Sequence, residues 1–235
     1  MNTQREQLIQ SWIASALNTE DFQVHFLAGD ASFRRYARVI NQNNTFMLMD
    51  APPEKEDCAP FVMIDEFFDQ HGVRVPHIIA KNLEQGFLLL EDFGDVVLST
   101  LLNDVTVDHY YLQSFKQLIQ LQSIQGEGHF PVYSHEKLLT EMKLLTDWML
   151  PSLQVIPSAE QQTVIDQTFN LLANTALAQP QVIVHRDFHS RNLMKIEGEE
   201  QLGVIDFQDA VVGADTYDLI SITRDAYVQW NADRV

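Results

Sequence analysis

The spacing of apolar positions divides the chain into a strand-rich first part and a helix-rich second part. Residues 3–17 have the spacing of an amphipathic helix. Short apolar runs separated by turn residues then predict an antiparallel sheet of five strands, with one helix after the third strand. We expect these strands at 22–27, directly after the loop that ends at Ser32, and at 45–50, 75–80 and 86–91.

The pattern changes to longer helices beyond residue 95. Helical spacing predicts helices over 106–124, 135–150, 159–177 and 216–230. The sequence from Ser158 to Gln161 is typical of a capping box at the start of the third of these helices. A strand-rich lobe followed by a helical lobe predicts an α+β fold with a ligand cleft between the lobes.

Residues 181–210 interrupt the helices and contain the candidate chemistry. A short apolar strand leads into His185, Arg186 and Asp187, and Asn192 follows Asp187 by five positions. A strand, a polar turn and a further apolar strand then lead to Asp206. We expect Asp187, Asn192 and Asp206 to lie at one edge of a small sheet. Two carboxylates and an amide are suited to holding Mg²⁺ and activating a hydroxyl, as phosphoryl transfer requires.

Composition and charge narrow the choice of partners. A formal net charge of −18 and a pI near 4.6 argue against nucleic acid or an anionic membrane as a partner. The single cysteine, Cys58, excludes an internal disulfide and is typical of a reducing compartment. The N-terminal sequence lacks the apolar segment of a signal peptide, and no apolar run is long enough to cross a bilayer. We therefore expect a soluble cytoplasmic protein; its oligomeric state stays open.

The order of the motifs resembles the aminoglycoside phosphotransferase family of the protein-kinase-like fold. The shared features are an HxDxxxxN loop, a following IDF strand and a later YDL motif, which here is Tyr217–Leu219. Within that family, the chain is similar to the anomeric amino-sugar kinases of bacterial cell-wall recycling, which phosphorylate N-acetylmuramate and N-acetylglucosamine. The segments that carry this narrower resemblance are GDASFRRY, MDAPPEKEDC, GFLLLEDFGD, HRDFHSRNLM and DFQDA.

The resemblance implies ATP and Mg²⁺ as cofactors and assigns roles to individual residues. Asp187 matches the catalytic aspartate that accepts the proton of the attacking hydroxyl, and Asn192 and Asp206 match the metal ligands. His185 and Asp218 match residues that support the catalytic loop. The residues matched to nucleotide binding are Gly29, Asp30, Ala31, Ser32, Phe33 and Arg35 around the phosphate-covering loop, and Leu90 and Glu91 at the adenine hinge.

Three further residues are candidates for acceptor contacts, namely His189, Arg191 and Asp209. For Asp209, capping of the next turn is an equally good interpretation. For Arg191, a salt bridge to the acidic surface is slightly favoured.

Two features depart from the family pattern. Family members place a lysine or arginine in the third strand to pair with the nucleotide phosphates, but TFMLMD contains neither. Arg34, Arg35, Arg38 and Lys55 are all possible substitutes, and spacing does not choose among them. The family also continues with helices beyond the YDL motif, so we expect a shortened C-terminal lobe.

The predicted lobes are residues 1–92, which cover the nucleotide, and residues 93–235, which carry the catalytic and metal-binding loops. The predicted function is an ATP- and Mg²⁺-dependent kinase for an amino sugar. Two alternatives stay open. One is a kinase for a cationic acceptor such as an aminoglycoside or choline, which the acidic balance favours. The other is a nucleotide-binding pseudokinase, which the missing third-strand basic residue favours.

Overall fold

The structure, a computed structural model, describes residues 3–28, 33–42, 44–126 and 128–231. Its contacts group into two compact units. The first contains Met1–Gln117 and Arg191–Gln208, and the second contains Leu118–Ser190 and Asp209–Val235. The chain therefore passes between the units several times, once inside the HxDxxxxN loop, between Ser190 and Arg191. The lobe boundary predicted at residues 92/93 stays a prediction, because each compact unit combines separate segments of the chain and so does not test a single boundary.

The first unit is built on a five-stranded antiparallel sheet, as predicted. The strands are β1 (Gln23–Phe26), β2 (Arg35–Asn41), β3 (Asn44–Asp50), β4 (Ile78–Asn82) and β5 (Phe87–Glu91), and the α-helices are α1 (Thr3–Leu17) and α2 (Ala59–Gln70). The strand order is β1-β2-β3-β5-β4. One face of the sheet packs against α1 through Ile9, Ile13, Val39, Leu48 and Leu89.

Strand β4 begins later than the predicted 75–80. Pro76 has no backbone N–H to donate to a neighbouring strand, and pairing with β5 begins at Ile78 opposite Leu90. The first unit also contains the hairpin of β7 (Leu193–Lys195) and β8 (Leu202–Val204). Phe93, Met194 and Ile196 form a small apolar cluster beneath this hairpin.

Helix α3 (Val107–Gln122) begins in the first unit and ends in the second. The second unit contains the remaining helices and a separate two-stranded sheet. They are α4 (His135–Met142), α5 (Leu150–Ser152), α6 (Ala159–Leu177) and α7 (Tyr217–Thr223), with β6 (Gln181–Val184) paired to β9 (Val211–Ala214). The predicted capping box is confirmed: Gln161 N donates to Ser158 Oγ at 3.2 Å, and Ser158 N donates to Gln161 Oε1 at 2.9 Å.

Two predicted helices are wrong in extent. The helix predicted over 135–150 ends at Met142 and gives way to a π-helical turn at Leu145–Met149. Pro151 lies beyond this turn, at the start of the short helix α5, where a proline is tolerated. The last helix, predicted over 216–230, ends at Thr223, since Asp225 Oδ1 accepts from Tyr227 N at 2.7 Å and forms a local turn instead.

The prediction of one small sheet for residues 181–210 is also wrong. β6 pairs with β9, and β7 pairs with β8, so these segments form two separate two-stranded sheets. Strand β9 was not predicted, because its four residues are all buried and show no polar alternation. Asp187 therefore follows a strand of one sheet, whereas Asn192 and Asp206 flank the hairpin of the other.

The helices of the described residues all fall short of the length and apolarity that a membrane-spanning helix needs.

Candidate active site

Asn192 and Asp206 lie side by side at the open end of the β7–β8 hairpin. Asn192 Nδ2 donates to Asp206 Oδ2 at 3.3 Å, and Ile205 N donates to the carbonyl of Asn192 at 3.1 Å. The antiparallel pairing of Leu193 with Val204 makes these flanking positions neighbours. Asp206 has a φ of 63°, a left-handed conformation that is uncommon for a residue with a side chain and often marks a functional site.

The neighbours of Asp206 in the sequence, Phe207 and Gln208, hold it in place. Phe207 is fully buried, and its ring packs against Phe61 and Phe68 of α2 with centroid separations of 5.0 and 5.8 Å. Gln208 Nε2 donates to Asp206 Oδ1 at 2.8 Å. The carboxylate is thus exposed at the end of the hairpin, while the backbone on which it stands is fixed by aromatic packing.

Asp218 holds the start of the HxDxxxxN loop, residues 185–192. Its Oδ2 accepts from His185 N at 2.6 Å and its Oδ1 accepts from Arg186 N at 3.1 Å. Arg186 has a φ of 79°, so these bonds stabilise a strained turn directly before the exposed Asp187. Burial raises the pKa of Asp218 to about 7, even though the two N–H groups favour its charged form. His185 is likewise fully buried.

Residues that sequence reasoning missed hold the rest of this loop. Asp225, which is 8% exposed, accepts from Ser190 N at 2.8 Å. Glu141 of α4 accepts from Arg186 Nη2 at 2.7 Å, and Tyr133 also donates to Glu141. An acidic residue beyond the YDL motif is a weak signal in the sequence, because its partner lies 35 positions away.

The three acceptor candidates fall in different places. His189 packs edge-on against the ring of Tyr227 at 4.9 Å. Asp209 is exposed, and its Oδ1 lies 3.9 Å from Arg186 Nη1. Arg191 is exposed and belongs to the first unit, whereas His189 and Asp209 belong to the second. Their proposed roles at the acceptor stay predictions.

The nucleotide candidates are only partly described. Gly29, Asp30, Ala31 and Ser32 lie outside the described residues. Phe33 is 62% exposed, and its ring lies 5.3 Å from the ammonium of Lys55. Arg35 Nε donates to the buried carboxylate of Asp50 at 2.8 Å.

At the predicted hinge, Leu90 is buried in β5, and Glu91 accepts from Arg74 Nη1 at 2.7 Å. The N–H of Glu91 donates to the carbonyl of His77 at 2.9 Å, so this amide already has a partner in the sheet. On α2, Glu66 forms an ion pair with Lys81 of β4. Asp65, the residue before it, is buried and forms no ion pair within the described residues.

Comparison with known proteins identifies the family of this chain. Residues 23–235 match the phosphotransferase enzyme family. The chain belongs to that family. It is 35% identical over 238 residues to an N-acetylmuramate/N-acetylglucosamine kinase of Neisseria meningitidis, covering 99% of this chain and 70% of the relative. It is 40% identical over 209 residues to the kinase of that name from Pseudomonas aeruginosa, covering 88% of this chain and 61% of the relative.

Solved structures confirm the predicted kinase-like fold of this phosphotransferase. An ADP-bound aminoglycoside phosphotransferase superposes with a TM-score of 0.66 at 18% identity, covering 94% of this chain and 75% of that chain. A choline kinase from Streptococcus pneumoniae superposes with a TM-score of 0.64 at 17% identity, covering 97% and 76%. The chain thus spans about 61–70% of the length of the two curated relatives above, so its activity and acceptor are matters of proposal.

Proposed function

We propose that this phosphotransferase transfers the γ-phosphoryl group of ATP to the anomeric hydroxyl of N-acetylmuramate or N-acetylglucosamine. The observation that carries the proposal is the Asn192–Asp206 pair at the end of the β7–β8 hairpin, in a chain of this family. The choice of sugar rests on the relatives, two of which are kinases named for these sugars at 35% and 40% identity.

The side chains present suit a hard divalent cation. Asn192 and Asp206 contribute amide and carboxylate oxygens, the donors that Mg²⁺ prefers. The 3.3 Å hydrogen bond between them shows that the two side chains lie next to each other. Rotation of the Asn192 amide by half a turn would place its oxygen beside the Asp206 carboxylate, so that both groups could bind one cation. Mg²⁺ bound there would neutralise phosphate oxygens as charge shifts during transfer.

Asp187 is the proposed base. The hydroxyl oxygen of the sugar forms a bond to the γ-phosphorus, the bond from that phosphorus to the β,γ-bridging oxygen breaks, and the hydroxyl proton passes to the Asp187 carboxylate. ADP leaves with the electron pair of the broken bond. Asp187 is exposed, and Asp218 fixes the backbone directly before it, so the carboxylate is accessible on a loop of set conformation.

Asp187→Asn tests this assignment, because it removes the proton acceptor and keeps the size of the side chain. We expect phosphosugar formation from ATP, Mg²⁺ and either sugar to fall at least about 100-fold, while ADP binding measured by calorimetry stays within about threefold. Asp166→Asn on the exposed side of α6 makes the same charge change and should leave both quantities unchanged. Weakened ADP binding in Asp187→Asn would show that this residue has a different role.

An acceptor panel tests the choice of sugar. The wild-type chain is incubated with ATP, Mg²⁺ and, in parallel, N-acetylmuramate, N-acetylglucosamine, kanamycin and choline. Phosphorylation of a cationic acceptor in preference to both sugars would replace the amino-sugar assignment. Nucleotide binding without turnover on any of these acceptors would favour a pseudokinase.

A further inference from the structure

Arg74 joins two parts of the first unit that are far apart in the sequence. Its guanidinium donates to Glu91 Oε2 at 2.7 Å and to both carboxylate oxygens of Glu199 at 2.9 Å. Glu91 ends β5, and Glu199 lies in the turn of the β7–β8 hairpin, 125 positions beyond Arg74. The candidate metal ligands, Asn192 and Asp206, lie at the open end of that same hairpin. Arg74 therefore connects the main sheet to the element that presents these two side chains.

The guanidinium of Arg74 is held on two edges and on one face. Its Nη1 and Nη2 atoms donate to Glu91, and its Nε and Nη2 atoms donate to Glu199. Its Cζ atom lies 4.7 Å from the centre of the Phe93 ring, and the Arg74 side chain is only 12% exposed. A fork that pairs with two carboxylates in this way fixes the geometry of all three side chains, unlike a single ion pair between two exposed side chains.

The backbone of the hairpin is attached at the same place. The N–H of Val204, the last residue of β8, donates to the carbonyl of Arg74 at 2.7 Å. The ring of Phe93 packs so closely on β8 that a Cβ atom at Gly203 would lie 2.3 Å from its Cε2 atom. Arg74 thus holds β8 through its own backbone and holds the turn of the hairpin through Glu199.

The strand that Arg74 holds leads directly to the candidate metal ligands. Asp206 follows Val204 by two positions, and Asn192 directly precedes Leu193, which is the partner of Val204 in the hairpin. A two-stranded hairpin is only marginally stable by itself. Its contacts with the rest of the unit must therefore determine where its open end lies.

The two common hard cations of biology differ in how strictly they depend on the placement of their ligands. Mg²⁺ requires near-octahedral geometry with ligands at about 2.0–2.1 Å, whereas Ca²⁺ accepts flexible geometry with ligands at about 2.3–2.6 Å. A small displacement of a ligand pair should therefore weaken Mg²⁺ binding more than Ca²⁺ binding. This difference can distinguish a residue that positions metal ligands from one that only stabilises the fold.

We propose that Arg74 is a positioning residue for the Asn192–Asp206 pair. By holding Glu199 close to the end of β5, it fixes the hairpin so that the pair has the geometry that Mg²⁺ requires. The inference rests on the proposed function, since it takes the metal ion to bind at this pair. Arg74 acts through the hairpin, and its loss should change the choice of metal ion as well as the stability of the unit.

Glu199→Gln tests the link with a small change. The variant keeps the size of the side chain and leaves the pair of Arg74 with Glu91 in place, but it removes the charge that holds the hairpin. Calorimetry of ADP binding in Mg²⁺, in Ca²⁺ and in EDTA gives the factor by which each ion strengthens binding. We expect the Mg²⁺ factor to fall about 10-fold and the Ca²⁺ factor by less than about threefold, with little change in EDTA. Glu200→Gln makes the same charge change at the next, exposed position of the turn and should match the wild type.

Two arginine variants separate positioning from stability. Arg74→Lys keeps the positive charge but cannot form two planar forks, so we expect its Mg²⁺ factor to fall more than its Ca²⁺ factor. Arg5 is a matched control in the same unit, because its side chain is 16% exposed and its Nε donates to the buried carboxylate of Asp50 at 2.8 Å. Arg5→Lys should lower the thermal stability and leave both factors unchanged. Circular dichroism identifies any variant that is unfolded.

The outcomes separate this inference from the proposed function. An unchanged Mg²⁺ factor in Glu199→Gln and Arg74→Lys would overturn the role of Arg74, as would equal losses of the two factors or an equal loss in Arg5→Lys. A wild type whose ADP binding is not strengthened by Mg²⁺ would overturn it as well. Selective loss of the Mg²⁺ factor, together with a wild type that phosphorylates neither sugar, would keep this inference and refute the proposed acceptor.

Discussion

Asp65 is a buried carboxyl group whose charge opposes folding. It lies on the buried face of α2 with an exposed fraction of 2%, and its Oδ2 atom has no hydrogen-bond partner among the described residues. Burial, with added repulsion from Asp69 and Glu66, raises the pKa of Asp65 from 3.8 to about 8. In the unfolded chain the same group ionises near pH 4. Folding at neutral pH must therefore protonate this carboxyl or bury its charge.

The sign and size of the effect follow from the two pKa values. A raised carboxyl pKa means that stability falls as the pH rises from about 4 to about 8 and then levels off. At 1.36 kcal/mol per pKa unit, the ionisation of Asp65 lowers the free energy of unfolding by roughly 3 kcal/mol at pH 6 and by roughly 5.5 kcal/mol at pH 9. Asp65→Asn has a similar shape and does not titrate. We expect it to be more stable than the wild type, by an amount that grows by about 2.5 kcal/mol between these pH values.

Urea denaturation of both proteins between pH 6 and pH 9 measures this difference. The range stays above the pI near 4.6, where a loss of net charge promotes precipitation. Trp12 packs on Phe87 with ring centroids 5.5 Å apart, so tryptophan fluorescence reports on the unit that contains Asp65. Glu54→Gln, at an exposed position, is the matched control and should show no such pH dependence. A stability difference that is constant from pH 6 to pH 9 would refute the argument.

Two further changes test how the backbone is held at two separate places. Asp218→Asn would leave one of the two N–H groups of His185 and Arg186 facing an amide group in place of a carboxylate oxygen. We expect a loss of about 1–3 kcal/mol in unfolding free energy and a fall in kcat, with little change in the KM for ATP. Gly86→Ala would place a Cβ atom 1.8 Å from the carbonyl oxygen of Ala51, whereas Gly94→Ala, at a similar positive φ, meets nothing within 4 Å. Thermal denaturation should therefore show a clearly larger loss of stability for Gly86→Ala than the roughly 1 kcal/mol expected for Gly94→Ala; equal losses would show that the carbonyl of Ala51 yields easily.

Local patterns in the sequence were enough to predict most of the regular secondary structure. Apolar spacing predicted α1, the strands of the main sheet and α6, and the serine-to-glutamine pattern at 158–161 predicted the capping box that the structure contains. These features depend on residues at most a few positions apart. A capping box needs only a side chain that reaches the backbone three residues away, and an amphipathic helix needs only a repeating apolar face.

The predicted extents of α4 and α7 were wrong for reasons that apolar spacing does not reveal. Apolar spacing does not distinguish a regular α-helical turn from the π-helical turn at Leu145–Met149, and Asp225 accepts from the N–H of Tyr227 although its neighbours favour a helix. The second error came from a single side chain that bonds to the backbone.

The sequence by itself determined which residues are candidates for phosphoryl transfer, because the HxDxxxxN spacing and the following IDF strand are local features. Only the tertiary structure decided their partners. β6 pairs with β9 beyond β7 and β8, and Asp218 reaches His185 across 33 positions. It also paired Arg34 with Glu56 and Arg35 with Asp50. Such pairings depend on how distant segments meet in space, and no periodicity along the chain encodes that.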